Sequence, residues 1–228
     1  DYIALLDADD YWKPEYLERV AALIGRYPGC GLYSMGFEVH RPEGVFPNET
    51  GMQEGIVGNY FRTAMRVNLT QTSSVTIPRA VFERLGGFPE GMKLGEDQYV
   101  WTKIARTYPV CYSPQRFSEF NLMAQNRSAQ NYKMERTPYS FWEFYDPGTP
   151  DCNEYIARCE IGKALVHSVY GYTDAALEVE RRYSYNRHYR LGWWKLRILN
   201  RLPVMWRRPL LDSYKRVTWL VSKKGLLG

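Results

Sequence analysis

Apolar positions change their spacing several times along the chain, and those changes mark its elements. Tyr2-Ile3-Ala4-Leu5-Leu6 is a short continuous apolar run closed by Asp7-Ala8-Asp9-Asp10, the pattern of a buried parallel strand. Leu17, Val20, Ala21 and Ile24 then repeat at i, i+3, i+4, i+7, which predicts a helix. Pro14 suits its first turn, and Gly25 with Tyr27-Pro28-Gly29 stops it. A strand is predicted from Gly31 to His40, a Gly, Pro and Glu-rich loop over 41–55, and a short helix around Ile56–Met65. Thr72–Ile77 alternates and is β-branched, hence a strand. Pro78 opens a helix with Val81, Phe82 and Leu85 on one face, ended by Gly86-Gly87. Gly95-Glu96-Asp97 opens the next helix, to about Thr107, with strands at Val110–Tyr112 and Phe117–Met123. From about Thr137 the pattern turns helical, with helices at Asn153–Tyr170 and Asp174–Tyr189. Strands and helices alternate first and helices dominate later, so the reading is an α/β core over 1–135 and a helical C-terminal appendage over 136–228.

Charge sharpens that division. Residues 181–228 hold thirteen Lys or Arg against one acid, Asp212, for a net +12, which leaves 17 basic and 24 acidic residues, net −7, in 1–180. The tail also holds Trp193, Trp194, Trp206 and Trp219, four of the seven tryptophans. Leu191, Trp194 and Ile198 fall on one helical face, with Lys195, Arg197 and Arg201 off it. After Pro203, Leu210, Tyr214, Val217 and Val221 form a second stripe flanked by Arg207, Arg208, Lys215, Arg216, Lys223 and Lys224. An apolar face, a basic face and tryptophan together suit a helix lying in an anionic membrane surface. The competing reading packs the stripes on the core and leaves the cations solvated. Nucleic acid also suits the charge, but no nucleic-acid-binding motif is present.

Composition is globular, at 45% hydrophobic and 24% charged, and no apolar run approaches the ~20 residues of a membrane span. Cys30, Cys111, Cys152 and Cys159 share no metal-ligand spacing and form no disulfide framework, which points to a reducing compartment. The sequons at Asn48, Asn68 and Asn126 read as chance matches. The chain opens on Asp1 and runs straight into an apolar stretch, as a piece of a longer protein would.

The candidate chemistry is acidic. Asp7, Asp9 and Asp10 close a strand, at the edge where open α/β sheets bind ligands. Three carboxylates in four residues repel one another, and a hard divalent cation such as Mg²⁺ or Mn²⁺ relieves that repulsion and carries phosphate oxygens. The same residues also fit a solvated acidic turn that caps a helix. An apolar strand ending in D-x-D occurs in dehalogenase-type phosphatases too, but Tyr11 stands where they carry Thr or Val.

Two segments bear a closer resemblance. DYIALLDADDYWKPEYLE resembles the D-x-D segment of family 2 glycosyltransferases, and TSSVTIPRAVFERLGGFPEGMKLGEDQYVWTKIA is similar to their acceptor-side segment with its G-G-F turn and E-D helix. The resemblance covers about residues 1–125. It implies a partial GT-A, Rossmann-like mixed sheet with flanking helices, and a hexosyltransferase-like activity. Asp9 would coordinate the metal that bridges the donor diphosphate, and Asp7 would join the metal shell or contact the ribose. Asp10, Gly95 and Glu96 would line the donor and acceptor pockets, and Asp97 would be the general base. The implied reaction is inverting transfer of a single sugar from a nucleotide-sugar donor to a hydroxyl of a glycan or lipid-linked acceptor. Its setting would be cell-surface glycan assembly, on the cytoplasmic side, peripheral at the inner face of the plasma membrane. Many relatives carry Y-R-x-H where Phe120-Asn121-Leu122-Met123 stand here, so one family metal ligand is missing. The family's N-terminal segment, which reads the base and ribose, has no counterpart, so weak donor binding is expected of these residues. No Q-x-x-R-W segment is present, against a processive synthase. A non-catalytic membrane-surface or partner-binding module is the alternative.

Overall fold

The structure, a computed structural model, describes residues 1–123, 133–134 and 139–223, with side chains described through Ser213. Two compact units emerge, one on Asp1–Gln130 and Arg136–Tyr155, the other on Asn131–Glu135 and Ile156–Gly228.

The first unit is a mixed sheet with flanking helices. Its strands are β1 (Tyr2–Ala4), β2 (Tyr11–Trp12), β3 (Leu32–Arg41), β4 (Gly44–Pro47), β5 (Gly55–Ile56), β6 (Val75–Pro78) and β7 (Val110–Asn121). The order is β1-β6-β3-β7-β2, with β4 on β3 and β5 on β7. β3 and β7 pair in parallel at the centre, whereas β6 runs antiparallel to both β3 and β1. β1, β3 and β7 therefore point the same way, and the acidic turn after β1 lies at their carboxyl edge.

Helix α1 (Tyr16–Arg26) buries Tyr16, Val20 and Leu23 against this sheet, at about 1.5–3 kcal/mol per side chain. The stripe is thus displaced from the predicted one, and Leu17 is exposed. Trp12 stacks on Tyr16 with centroids 4.3 Å apart, which draws Tyr16 inward. α2 (Tyr60–Ala64) and α3 (Arg79–Arg84) are short, and α4 (Glu96–Thr107) buries Tyr99, Val100, Trp101 and Ile104.

Four more expectations change. The opening run pairs antiparallel with β6 and leaves Tyr2 exposed, so it is not a buried parallel strand; a short apolar run does not encode its partner's direction. Thr72–Ser74 is a 3-10 turn rather than strand, because the Ser74 hydroxyl and amide both bond the Gln71 carbonyl (2.7 and 2.9 Å). The 41–55 loop contains β4, in a hairpin with β3. The strands expected at Val110–Tyr112 and Phe117–Met123 are one strand, β7, whose register shifts where Gly36 faces it.

In the second unit, α5 (Pro150–Val169), which starts in the first, is followed by α6 (Thr173–Arg182), α7 (Arg190–Arg201) and α8 (Val204–Lys223). α6 ends well before Tyr189, since buried Asn186 turns back to bond the Tyr183 carbonyl (2.7 Å). Arg207, expected among solvated cations, is 3% exposed. Its guanidinium donates to the carbonyls of Leu202 (3.0 Å) and Ser168 (2.9 Å) and to Thr173 Oγ1 (2.8 Å). It thereby satisfies helix-end carbonyls that would otherwise be orphaned. Tyr214, Lys215, Arg216, Val217, Trp219, Val221 and Lys223 lie on helical backbone but outside the described side chains, and Lys224 and Asn126 lie outside the described residues. No helix among the described residues is long and apolar enough to cross a membrane.

Candidate active site

After Ala4 the ladder continues for one residue, Leu5 N–H donating to the Val75 carbonyl at 3.1 Å, and the chain then turns. The Asp10 amide donates to the Asp7 carbonyl at 3.1 Å and closes the D-A-D-D turn. Ser73, fully buried in the 3-10 turn before β6, holds both ends of it. Its hydroxyl accepts from the Asp7 amide (3.0 Å) and donates to Asp10 Oδ2 (2.6 Å). Its carbonyl accepts from Trp12 Nε1 at 2.6 Å.

The three aspartates divide the work. Asp10 is 5% exposed and turned inward. Its carboxylate accepts from Gln71 Nε2 (2.8 Å), Ser73 Oγ and, on the other oxygen, the Asn121 amide (2.9 Å). Those donors offset its burial and tie the turn to β7. Asp7 is exposed and Asp9 half-buried, and no described residue donates to either carboxylate. These two are the oxygen ligands left over for an external cation, and Mg²⁺ takes one or two carboxylates before filling its shell with phosphate and water.

The E-D pair arrives from the far side of the sequence. Gly95, at φ +78°, turns the chain into α4; that left-handed conformation, rather than space for a side chain, is what favours glycine there. Glu96 and Asp97 occupy the first turn of the helix, and Asp97 Oδ1 accepts from the Gln98 amide at 2.6 Å. Although Asp7 is open to solvent as a residue, partial desolvation of its carboxyl by the surrounding turn pushes it above the usual aspartate value, and the charges of Asp10, Asp9 and Glu96 add to it. Burial also pushes Asp97 up to about 6; the Gln98 amide opposes this, while Glu96 and Asp7 reinforce it. Asp7 and Asp97, 90 positions apart, are thus within electrostatic reach. Asp7 is the link among the acids singled out from the sequence: it feels the charges of Asp9, Asp10 and Glu96, and Asp97 feels the charge of Asp7. Ser73 and Gln71, which hold the turn, carry no signal beyond lying in a Ser-rich segment.

Phe120–Met123 brings no imidazole. Asn121 gives its amide to Asp10, Leu122 gives its amide to the His40 carbonyl (2.9 Å), and Met123 is exposed. Among the described residues, one trio with ligand atoms within 4.8 Å of one another lies elsewhere, Glu38 and His40 on β3 with Glu119 on β7. Lys13 Nζ already pairs with Glu38 (2.9 Å), and His40 Nε2 lies 3.3 Å from Glu119, so the trio's ligand atoms already face partners on the sheet.

No family model matches the sequence, and no curated protein does. Solved structures do match in fold. S. aureus TarS 1–349 in complex with UDP-GlcNAc superimposes with a TM-score of 0.55 at 15% identity, over 94% of this chain and 68% of that one. The same protein in complex with UDP gives 0.53 at 14% identity, over 94% and 67%. The mixed sheet with flanking helices is therefore similar to the TarS glycosyltransferase fold.

Proposed function

We propose that the protein is an inverting, metal-dependent glycosyltransferase of the family 2 type. It moves one sugar from a nucleotide-sugar donor to a hydroxyl of a glycan or lipid-linked acceptor, in cell-surface glycan assembly. One observation carries the reading: Asp7, which like Asp9 has no donor to its carboxylate among the described residues, lies within electrostatic reach of Asp97, whose raised pKa suits a base. The TarS complexes, with UDP-GlcNAc and with UDP, favour a nucleoside diphosphate as the carrier.

Asp7 and Asp9 would hold Mg²⁺ or Mn²⁺, which when bound stabilises charge on the departing diphosphate. Asp10, fixed by Gln71, Ser73 and Asn121, keeps the turn in shape. Asp97 takes the proton of the attacking hydroxyl, and a pKa near 6 leaves it ionised at neutral pH yet more basic than an ordinary aspartate. Glu96 sits beside it, placed to accept from an acceptor hydroxyl. One base and direct displacement invert the sugar without a covalent intermediate. The work is peripheral, at the inner face of the plasma membrane.

Release of UDP from UDP-GlcNAc, with and without acceptor sugars, tests the reading. Asp97→Asn should lower transfer about 10²–10⁴-fold with donor affinity kept, and the wild-type rate should fall as pH drops below about 6. Wild-type transfer by Asp97→Asn would remove Asp97 as the base.

A further inference from the structure

The basic, tryptophan-rich part of the chain is not used by this chemistry, and its helices carry an unusual surface. α7 is apolar on two opposite faces. Trp193, Leu196 and Leu199 are buried within the second unit. Leu191, Trp194 and Ile198, on the other side, are 78%, 44% and 54% exposed. The stripe read from the sequence is therefore solvent-facing rather than buried in the second unit. The start of α8 extends it with exposed Met205, Trp206 and Leu210. Charge accompanies it: residues 190–213 contain six Lys or Arg and one acid, Asp212. The Arg190 guanidinium lies 4.3 Å from the Trp193 ring and 5.7 Å from Trp194, and that of Arg197 lies 5.2 and 5.1 Å from the same two rings, so both cations flank the exposed indole of Trp194.

We infer that this face of α7 and early α8 docks in an anionic lipid surface, a docking that rests on the peripheral placement proposed for the transferase but not on its chemistry. Aliphatic and indole side chains enter the boundary between headgroups and acyl chains, while arginines at their flank meet lipid phosphates. A second copy of the chain is a poorer occupant, because a self-complementary contact would set the Arg190 and Arg197 beside this face against their own copies. Nucleic acid would meet the cations but gains little from Leu191, Ile198 and Met205.

Co-sedimentation of the full chain with vesicles tests this, phosphatidylcholine alone against phosphatidylcholine mixed with phosphatidylglycerol. The chain should pellet with the anionic vesicles at low salt and at least about tenfold less with the neutral ones, and about 0.5 M salt should weaken binding. Ile198→Ser and Trp206→Ala should each lower the partition about tenfold, and Arg190→Gln with Arg197→Gln about 25-fold. Leu17→Ser, an equally exposed leucine on α1, should change nothing. A chain that stays in the supernatant with anionic vesicles overturns the docking. So does binding that survives both Ile198→Ser and Trp206→Ala, a dimer dissolved by Trp194→Ala in a chain that ignores vesicles, or preference for a single-stranded RNA over vesicles. UDP release measured on the same samples separates the two proposals. Turnover without vesicle binding rejects only the docking, and vesicle binding without turnover rejects only the transferase reading.

Discussion

At the scale of single residues, what distinguishes this site is which carboxylates the protein satisfies and which it leaves open. Asp10 has three donors, whereas Asp7 and Asp9 have none among the described residues. A sequence shows three adjacent acids as equals; only the fold separates the one facing inward from the two facing out. Ser73 makes that separation, and it is the residue to remove. Ser73→Ala strips the Asp7 amide of its acceptor and leaves Asp10, buried and charged, one donor short. Hydrogen bonds to charged groups contribute about 1.5–3 kcal/mol, and urea unfolding should show a loss of that order. Mn²⁺ affinity should fall with it, since Asp9 sits in the turn that Ser73 closes. Unchanged stability and unchanged Mn²⁺ affinity would show that the turn holds without it.

Among elements, legibility followed how local the signal was. The start of α4 is written in Gly95-Glu96-Asp97, and the break between the end of α7 and the start of α8 in Pro203. The α1 stripe differs from the periodic one because Tyr16, amphipathic by sequence, becomes core through tertiary partners, Met35 on β3 and Trp12 stacked on its ring. β4 hid in a Gly, Pro and Glu-rich stretch whose strand character comes from pairing with β3. The electrostatic coupling of the D-x-D turn to the E-D helix has no local signature in the sequence, since its partners lie 90 positions apart. Gly36 is another such case, since only the β3–β7 pairing makes it necessary. A Cβ there would lie 2.7 Å from the Pro114 carbonyl oxygen, where the register shifts. Gly36→Ala should cost about 1–3 kcal/mol. Gly25→Ala, in α1 with nothing within 4 Å, should be neutral or stabilising by up to about 1 kcal/mol. Thermal melts of the two variants side by side check the contrast, and equal shifts would contradict it.

For the whole molecule, the acidic site should govern how stability responds to pH. Desolvation, partial at Asp7 and fuller at Asp97, raises both carboxyls, the latter to about 6, and the neighbouring acids reinforce both. A group whose pKa is raised by folding binds its proton more tightly in the native state. Stability therefore grows as pH falls from about 7 through 6 toward the ordinary carboxylate range near 4. Glu180, in the second unit, works in the opposite sense. Burial pushes it up, but hydrogen bonds from Arg201 and Asn200 outweigh that and hold it below the usual glutamate value. Its contribution is present above that usual value and lost as pH falls through the lowered one. The two effects place the stability optimum on the acid side of neutrality. A divalent cation changes the outcome, because it binds the ionised carboxylates and competes with their protons. In EDTA the melting temperature should be higher at about pH 5.5 than at about pH 7.5. Mn²⁺ should raise it at about pH 7.5 and do little at about 5.5, flattening the slope. Asp97→Asn should lessen the slope in EDTA, and Asp9→Asn should abolish the response to Mn²⁺ while leaving most of the slope. A melting temperature indifferent to pH in EDTA would mean that the acids are not crowded as the fold places them. An equal Mn²⁺ effect at both pH values would put the cation somewhere other than on these aspartates.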